Sequence, residues 1–423
     1  MATNTLTAYA EPETGTMPAP AEPKAAPKKV SPKKADAKPK AEPKKAAQKK
    51  ADLFCLQENL AKGLSIVGRA VSSRSTLPVL NNVLIAADGA RLKLSATNLE
   101  VAITCWIGAQ IENEIAITVP ARTFSETIAA MPKGGLEITL NDGAHPLTVR
   151  GDHAVSAVNG IDAAEFPVLP MQEGGISLSV EAFKSALGEV IYAAATDEAR
   201  PVLTGVLLKI EQDTLTLVAT DGFRLAKSEL QLSAPQKEAV SVIVPASALA
   251  KLRQIIGGDQ LTLSIQNNQA IFGFNTDDHM EVQLAANLLE GNYPDYAAIL
   301  PTGHTTKATV HTSAILMACK VANIFARENN GNMATFDVSA DGVKVSATSA
   351  ETGSNESNVA AAVEGEALTI NLNVSYGIDA FSAVRDAEVT VEFNGPRSPI
   401  VIRPSGRDDM ATLIMPLMSS SKP

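Results

Sequence analysis

The chain has 423 residues, enough for about three domains of roughly 100 to 200 residues each. Hydrophobic residues make up 45% of it and aromatic residues 4%, so we expect soluble domains with cores of Leu, Val, Ile and Ala. We expect neither a membrane span, which needs about 18 apolar residues in a row, nor a secretory signal. The three cysteines have no metal-ligand spacing and are predicted to be buried thiols, which favours a reducing, cytoplasmic location.

The first 50 residues are rich in Lys, Ala and Pro and differ in charge from the rest. They contain 11 Lys, no Arg and 5 carboxylates, a net charge of +6, which leaves −16 for residues 51–423 because the whole chain carries −10. Such a segment buries too little apolar surface to offset its ordering entropy, so we predict a disordered tail. Two roles stay open: a polycation that binds nucleic acid by releasing counterions, or a solubilising tether.

The remainder divides into three stretches of similar pattern, at residues 51–172, 173–302 and 303–423. Each is predicted to hold two units of one helix plus several strands, which gives six helices per chain. Apolar residues spaced three or four apart predict these helices at residues 52–71, 121–132, 181–195, 246–256, 312–327 and 374–386. In the first helix, the predicted apolar stripe is Leu53, Leu56, Leu60, Leu64 and Val67.

The clearest strand pattern lies in the middle stretch. Apolar residues alternate over 206–210 and over 215–219, with a polar turn at 211–214 between them, which is typical of a half-buried hairpin. Asp221-Gly222 is a second turn signal.

This hairpin pattern occurs three times in the chain. The Ala-Thr pairs of the three copies place Thr97, Thr220 and Thr348 at spacings of 123 and 128 residues. A period of this length is that of a whole domain and is too long for a solenoid unit. The sequence therefore predicts three copies of one domain.

Each predicted helix carries at least one Lys or Arg, although residues 51–423 are acidic as a whole. The cations are Lys62, Arg69, Arg122, Lys184, Lys251, Arg253, Lys320, Arg327 and Arg385. Their recurrence over six helices predicts that the helices gather on one basic surface, while the acids collect elsewhere. For any single helix, an ordinary solvated face explains the cation equally well.

No catalytic or metal-binding pattern accompanies the repeat. The sequence has no GxxxxGK[ST] loop, no HExxH and no Cys/His cluster, and its five histidines share no ligand spacing. We therefore predict a protein without catalytic residues, metal or cofactor.

Several segments resemble the bacterial DNA polymerase III beta subunit, the beta sliding clamp family. They are TLPVLNNVLI, DEARPVLTGVLL, LVATDGFRLA, VIVPASAL, EGNYPDYAAILP and the terminal LIMPL. The resemblance covers roughly residues 51–418 and leaves out the tail. It implies an α+β fold of three tandem DNA-clamp domains, and a ring formed by two chains joined head to tail, with helices inside and sheets outside.

The resemblance also implies a function, that of a processivity factor which encircles duplex DNA and tethers the replicative polymerase during DNA replication. The implied partners are double-stranded DNA held without sequence preference, a second copy of the chain, the polymerase catalytic subunit, an ATP-driven clamp loader and other proteins with a clamp-binding motif. No membrane partner is implied. Weak phosphate attraction would let the ring slide, and its closure would prevent escape.

In this family a short apolar peptide of the partner docks between the second and third domains. Carried over residue by residue, the cleft would consist of Leu203, Thr220, Gly222, Arg224, Leu225, Pro294, Ile299, Arg397, Pro399, Leu413, Met415, Pro416 and Leu417. Phe223 stands where His is frequent in the family, and Ala298 where a basic residue can stand, which predicts a more apolar rim. For Met415 and Leu417, core packing is the alternative.

The resemblance assigns the other contacts in the same way. Arg74 and Arg200, just before two of the hairpins, match positions that touch DNA, and the helix cations are added to them. The ring joint is assigned to Val155, Ile324 and Phe325.

Two other hypotheses remain. The first is a peptide-binding hub of the same fold that does not encircle DNA and contacts nucleic acid only through its tail. The second is an enzyme of unknown type, which no group of residues in the sequence supports.

Overall fold

The computed structural model describes residues 51–72, 75–140, 146–197, 199–328 and 331–418. One unit recurs six times in this part of the chain: a strand, a helix and three further strands. Two units form one domain, so the described residues make three tandem α+β domains, as the sequence predicted. The tail prediction for residues 1–50 and the contact predicted for Arg74 lie outside the described residues.

The bounds of the elements are as follows. The first domain contains β1 (Leu53–Leu56), α1 (Gln57–Val67), β2 (Asn82–Asp88), β3 (Arg91–Thr97), β4 (Val101–Ile111), β5 (Ala116–Pro120), α2 (Ala121–Ala130), β6 (Gly135–Leu140), β7 (Leu147–Arg150), β8 (Val155–Val158) and β9 (Ile161–Asp162). The second contains β10 (Ile176–Ser179), α3 (Val180–Val190), β11 (Gly205–Glu211), β12 (Thr214–Thr220), β13 (Arg224–Gln231), β14 (Val240–Pro245), α4 (Ala246–Ile255), β15 (Gln260–Gln266), β16 (Gln269–Asn275), β17 (Glu281–Asn287) and α5 (Tyr296–Ile299). The third contains β18 (Thr306–His311), α6 (Thr312–Ala326), β19 (Met333–Ser339), β20 (Gly342–Ser349), β21 (Gly353–Val359), β22 (Ala361–Gly365), β23 (Leu368–Asn373), α7 (Val374–Ala383), β24 (Glu388–Phe393), β25 (Ile400–Pro404) and β26 (Met410–Ile414).

The hairpin predicted from the middle stretch is confirmed by β11 and β12, which pair antiparallel around the turn that follows Glu211. The six predicted helices are present, and the one-turn α5 is additional within the described ranges.

The prediction for the first helix was wrong at its start. Residues Leu53 and Leu56 belong to β1, which pairs with both β4 and β6, and α1 begins only at Gln57. Leu53 is fully buried in the sheet and Leu56 is exposed, so the two do not share a stripe. Sheet pairing has overridden the helical spacing, since propensity and local pattern are weak compared with tertiary context.

The sheets run through both junctions between domains. At the 1–2 junction β4 pairs antiparallel with β17, with Ala102 opposite Ala285. At the 2–3 junction β13 pairs antiparallel with β26, with Leu225 opposite Leu413. In both cases the last strand of a domain's first unit pairs with the last strand of the next domain. β8 and β21 are the last strands of their units that are left without such a partner, and both lie at sheet edges.

The six long helices form one row on the sheets. Within the domains α1 contacts α2, α3 contacts α4 and α6 contacts α7, and α3 also contacts α7 across the 2–3 junction. Across the 1–2 junction the Arg69 side chain, just after α1, donates to Gln254 of α4. The order of the row is therefore α2, α1, α4, α3, α7, α6, which leaves α2 and α6 at its ends.

The core lies between this row and the sheets. Phe183 of α3 and Phe272 of β16 are fully buried, with ring centroids 6.0 Å apart. Burial of such a side chain contributes about 1.5 to 3 kcal/mol. The three cysteines are free and buried, as predicted (Cys55, Cys105, Cys319). Within the described ranges, no helix has the length and apolar content that a membrane crossing requires.

Candidate peptide cleft and nucleic-acid surface

A tight turn between β12 and β13 positions one wall of the predicted cleft. The Thr220 hydroxyl donates to the Arg224 carbonyl oxygen at 2.6 Å and accepts from the Gly222 amide at 3.1 Å. The Asp221 carboxylate accepts from the Phe223 and Arg224 amides at 2.8 and 3.0 Å. Gly222 has φ +92°, a conformation that glycine adopts without the steric cost of a side chain. These bonds fix the turn and direct Phe223 outward.

Arg224 is held in a network that joins the second domain to the third. Its Nε lies 3.0 Å from Asp221 and its Nη1 2.5 Å from Asp379 of α7. The guanidinium carbon is 4.5 Å from the ring centroid of Tyr376 and 5.5 Å from that of Tyr192. Only 11% of the side chain is exposed. Its charge is therefore neutralised by two carboxylates, and the guanidinium ties the junction together. Asp379, Tyr192 and Tyr376 were missed by sequence reasoning, because no local pattern links positions so far apart.

Apolar residues form a continuous floor beside this turn. Leu225 and Leu413 face each other across the 2–3 junction and are buried in one cluster with Leu207, Val218 and Ile243. Tyr293 packs against this cluster, and its hydroxyl donates to the Val218 carbonyl oxygen at 3.2 Å. Burial raises the pKa of this phenol above its usual range. Leu203 of the predicted set is also buried.

Three large apolar side chains stand exposed at the cleft positions. Phe223 is 59% exposed, Ile299 43% and Met415 41%. The Met415 amide donates to the Phe223 carbonyl oxygen at 2.9 Å, so these two neighbours are fixed relative to each other. The alternative of plain core packing therefore does not hold for Met415.

The remaining cleft positions lie around the end of β26. Pro416 and Leu417 are half-buried, and the Leu417 amide donates to the Asn371 carbonyl oxygen at 2.8 Å. Ile400 is opposite Ile414, so the half-buried Pro399 lies beside the same strand end. Pro294 and Arg397 are exposed.

The predicted DNA-contacting cations are spread along the helix row, but not all of them stand on helices. Arg69 lies in a 3-10 turn after α1, Arg327 is the residue after α6, and Arg385 is two residues beyond the end of α7. The prediction that Arg69, Arg327 and Arg385 sit on these helices was wrong, because each helix ends earlier than its apolar spacing suggested.

Several of these cations have partners of their own. Lys62 pairs with Asp278 at 2.7 Å and Arg122 with Glu126 at 2.9 Å. The Lys184 ammonium donates to the Ile256 carbonyl oxygen at 3.4 Å. The Arg327 Nε donates to the Ile324 carbonyl oxygen at 3.4 Å. The Arg253 guanidinium packs over Gly188 of α3. Lys251 is half-buried, while Lys320 and Arg385 are exposed.

The six long helices are close to neutral in charge. They carry six cations, Lys62, Arg122, Lys184, Lys251, Arg253 and Lys320. They carry five carboxylates, Glu58, Glu126, Glu181, Glu189 and Asp379. Residues 51–423 carry −16, so the helix row is less negative than the rest, which suits weak attraction of phosphates and not tight binding.

Arg200 is exposed and covers the same turn that builds the cleft. Its Nη2 donates to the Asp221 carbonyl oxygen at 3.1 Å. At the predicted ring joint, Val155 is the exposed first residue of the edge strand β8, and Ile324 is exposed on α6. Phe325 is half-buried against the core of the third domain.

The chain matches family models of all three domains of the DNA polymerase III beta subunit: the N-terminal domain at residues 51–170, the central domain at 177–295 and the C-terminal domain at 297–418. The beta sliding clamp of Bacillus subtilis is 30% identical over 375 residues, with 85% of this chain and 98% of that protein covered. That of Synechocystis is 31% identical over 391 residues, with 86% and 98% covered.

Solved structures agree. The sliding clamp of Bacillus subtilis superposes with a TM-score of 0.82 at 28% identity, covering 88% of this chain and all of that chain. The beta subunit of Pseudomonas aeruginosa gives 0.79 at 25% identity, covering 86% and 99%. A three-domain clamp fold is thereby defined. The chain belongs to the DNA polymerase III beta subunit family, the beta sliding clamps, and it functions as a non-catalytic processivity subunit in DNA replication.

Proposed function

We propose that two copies of this chain close head to tail into a ring around duplex DNA. The observation that carries the proposal is the repeated junction: within the chain, β4 pairs with β17 and β13 pairs with β26. The third pair of the same kind joins β21 of one chain to β8 of the other. Both strands are sheet edges here, with unpaired backbone groups that a partner strand would satisfy.

The helix row supports the same closure. The first helix of a domain neighbours the second helix of the next domain at both internal junctions, α1 beside α4 and α3 beside α7. Continuing this order brings α6 of one chain beside α2 of the other. The ring joint then includes Val155 of one chain and Ile324 and Phe325 of the other. The row would line the opening. The proposed DNA contacts are Lys62, Arg69, Arg122, Lys184, Lys251, Arg253, Lys320, Arg327 and Arg385, together with Arg74 and Arg200.

We further propose that the cleft beside the 2–3 junction takes a short apolar peptide of the polymerase, the clamp loader or other clamp-binding proteins. The exposed Phe223, Ile299 and Met415 above a buried apolar floor support this role, since exposed apolar residues around a pocket are typical anchors for peptides. Because Arg224 is already neutralised, recognition is expected to depend on apolar fit. We also propose domain limits at residues 51–172, 173–302 and 303–423. The proposed location is the cytoplasm, which the three free thiols support.

The test is whether the protein stays on DNA only while the DNA is a closed circle. The protein is loaded on nicked circular DNA, excess protein is removed, and the DNA is linearised. A closed ring is expected to stay on the circle and to leave the linear DNA by sliding off the ends. Equal retention on circular and linear DNA would contradict the proposal.

Deletion of residues 1–50 separates the ring from the hub that binds nucleic acid only through its tail. The shortened chain is expected to keep its retention on circular DNA. Complete loss of DNA association would favour the hub.

A further inference from the structure

A second open groove lies at the 1–2 junction. Its lining residues differ from those predicted for the cleft, although Tyr192 and Leu289 also contact residues of that cleft. It has a volume of about 780 Å³ and is lined mainly by apolar residues, among them Val101, Pro201, Ala246, Ala250 and Leu288. Pockets of several hundred Å³ with apolar walls and few polar groups are the usual form of ligand sites. We call this the 1–2 groove.

The turn beside the 1–2 groove is equivalent, in the repeat, to the turn beside the predicted cleft. At the 2–3 junction the Met415 amide donates to the Phe223 carbonyl oxygen at 2.9 Å. At the 1–2 junction the Asn287 amide donates to the Glu100 carbonyl oxygen at 3.0 Å. Glu100 therefore occupies the place of Phe223, and Asn287 that of Met415.

A second backbone bond repeats in the same way. The Leu417 amide donates to the Asn371 carbonyl oxygen at 2.8 Å, two residues before the end of β23. The Leu289 amide donates to the Ile243 carbonyl oxygen at 2.9 Å, two residues before the end of β14. The wall formed by 415–417 at one junction is thus repeated by 287–289 at the other, on the same face of the repeat.

Smaller side chains stand at the 1–2 junction in the positions of the stacked pair of the 2–3 junction. In the 2–3 junction the Arg224 guanidinium lies 4.5 Å from the Tyr376 ring. The first residue of β4 is Val101, where β13 has Arg224, and the third residue of α4 is Ala248, where α7 has Tyr376. Val101 lines the 1–2 groove, whereas Ala248 is fully buried in the core, so the stacked pair of the 2–3 junction has no counterpart at these two positions.

The charge at the lip is negative. Glu100 is exposed and is the one charged residue among those that line the 1–2 groove. Within the described ranges, no Lys, Arg or His lies within salt-bridge distance of its carboxylate. An occupant with apolar side chains for the walls and a cation for this carboxylate complements the groove in shape and charge.

We propose that the 1–2 groove is a second docking site for a partner protein and that it binds a short peptide segment with two aliphatic side chains and one Lys or Arg that pairs with Glu100. The comparison with the 2–3 junction rests on the peptide cleft of the proposed function. The groove itself is defined by its own residues.

The test uses the full chain with the cleft disabled by Met415→Ala and Leu417→Ala. An array of hexapeptides is prepared with two aliphatic positions and a third position that is basic, acidic or neutral. The basic members are expected to bind, and Ala250→Trp, which fills the groove, is expected to weaken them at least tenfold. Ala234→Trp, the same change on an exposed loop outside the groove, is expected to have no effect.

Glu100→Lys gives a second readout that does not depend on filling the groove. It is expected to weaken the basic peptides about tenfold and to strengthen the acidic ones, a reversal that a general loss of folding would not produce. Binding of no peptide in the array, equal affinity of the two Trp variants, or an unchanged charge preference would overturn the proposal. These readouts depend on Ala250 and Glu100 alone. Failure of the predicted cleft is measured separately: polymerase and clamp-loader peptides would then bind equally well with and without Met415→Ala and Leu417→Ala.

Discussion

The Arg224 guanidinium lies 2.5 Å from the Asp379 carboxylate, and this pair joins β13 of the second domain to α7 of the third. Arg224→Ala removes the pair, the contact with Asp221 and the stacking on two tyrosine rings. We expect the free energy of unfolding to fall by about 2 kcal/mol, less than for a fully buried pair because Asp379 is partly exposed. Urea denaturation followed by circular dichroism measures it.

Arg122→Ala is the matched control for this measurement. Arg122 also pairs with a carboxylate, but the pair lies on the exposed surface of α2. Such pairs contribute little, so we expect the unfolding curve to be unchanged within error. If Arg224→Ala were no more destabilising than this control, the role of Arg224 in tying the junction would be refuted.

Met415→Ala combined with Leu417→Ala should weaken binding of polymerase and clamp-loader peptides by at least tenfold, since both side chains contribute to the apolar cleft. The particle mass should stay the same, because the cleft lies apart from the proposed ring joint. Fluorescence anisotropy with labelled peptide gives the affinity. The control is Met171→Ala with Val168→Ala, two exposed residues of the segment before β10. Peptide affinity equal to that of this control would show that the cleft is elsewhere.

Ile324→Glu should dissociate the proposed dimer. A carboxylate at the joint would be desolvated without a partner, which costs several kcal/mol. Analytical ultracentrifugation is expected to show the mass of one chain for this variant and of two chains for the unchanged protein. Val168→Glu, at a fully exposed apolar residue between β9 and β10, is the control that should keep the dimer. A dimer that survives Ile324→Glu would argue against this joint.

The three thiols should be unreactive in the folded protein. Burial raises the pKa of Cys55, Cys105 and Cys319 from 9.0 to about 12, so the thiolate is scarce near pH 8. A chromogenic disulfide reagent is expected to label none of them in buffer and all three in urea. Rapid labelling of a native thiol would disagree with the burial.

The same shift predicts a loss of stability in alkali. The unfolded chain releases its thiol protons near pH 9, while the folded chain retains them up to about pH 12. The unfolded state therefore binds fewer protons in this window, and the free energy of unfolding falls as the pH rises through it. Replacing the three cysteines by Ala should flatten this part of the pH profile, as followed by urea denaturation at each pH.

The repeat and most helices could be predicted from the sequence because their signals are local. Alternating residues around the turn after Glu211 predicted β11 and β12, and apolar spacing predicted α2 and α4 to within two residues of their ends. The spacing of Leu53 and Leu56 wrongly predicted a helix. Their strand is specified by its partners β4 and β6, which no local pattern shows.

The arrangement of charges could be predicted less well. The cations of the helix row were visible in the sequence, but their partners were not: Lys62 meets Asp278, and Arg224 meets Asp379. Such pairs are set by how domains pack, and a single sequence carries no signal for them. The alignment of Thr97 with Thr220 already matched Glu100 to Phe223, but the sequence did not show that both carbonyl oxygens accept an amide from the following domain.

The sheets that cross both internal junctions have a mechanical consequence. Strain applied to one domain passes to the next through rows of hydrogen-bonded strands, so neither junction can act as a free hinge. In the proposed ring only the two seams between chains lack a covalent connection. A protein that opens the ring would therefore separate it most easily at one of these seams. Each three-domain chain would then move as one stiff arc.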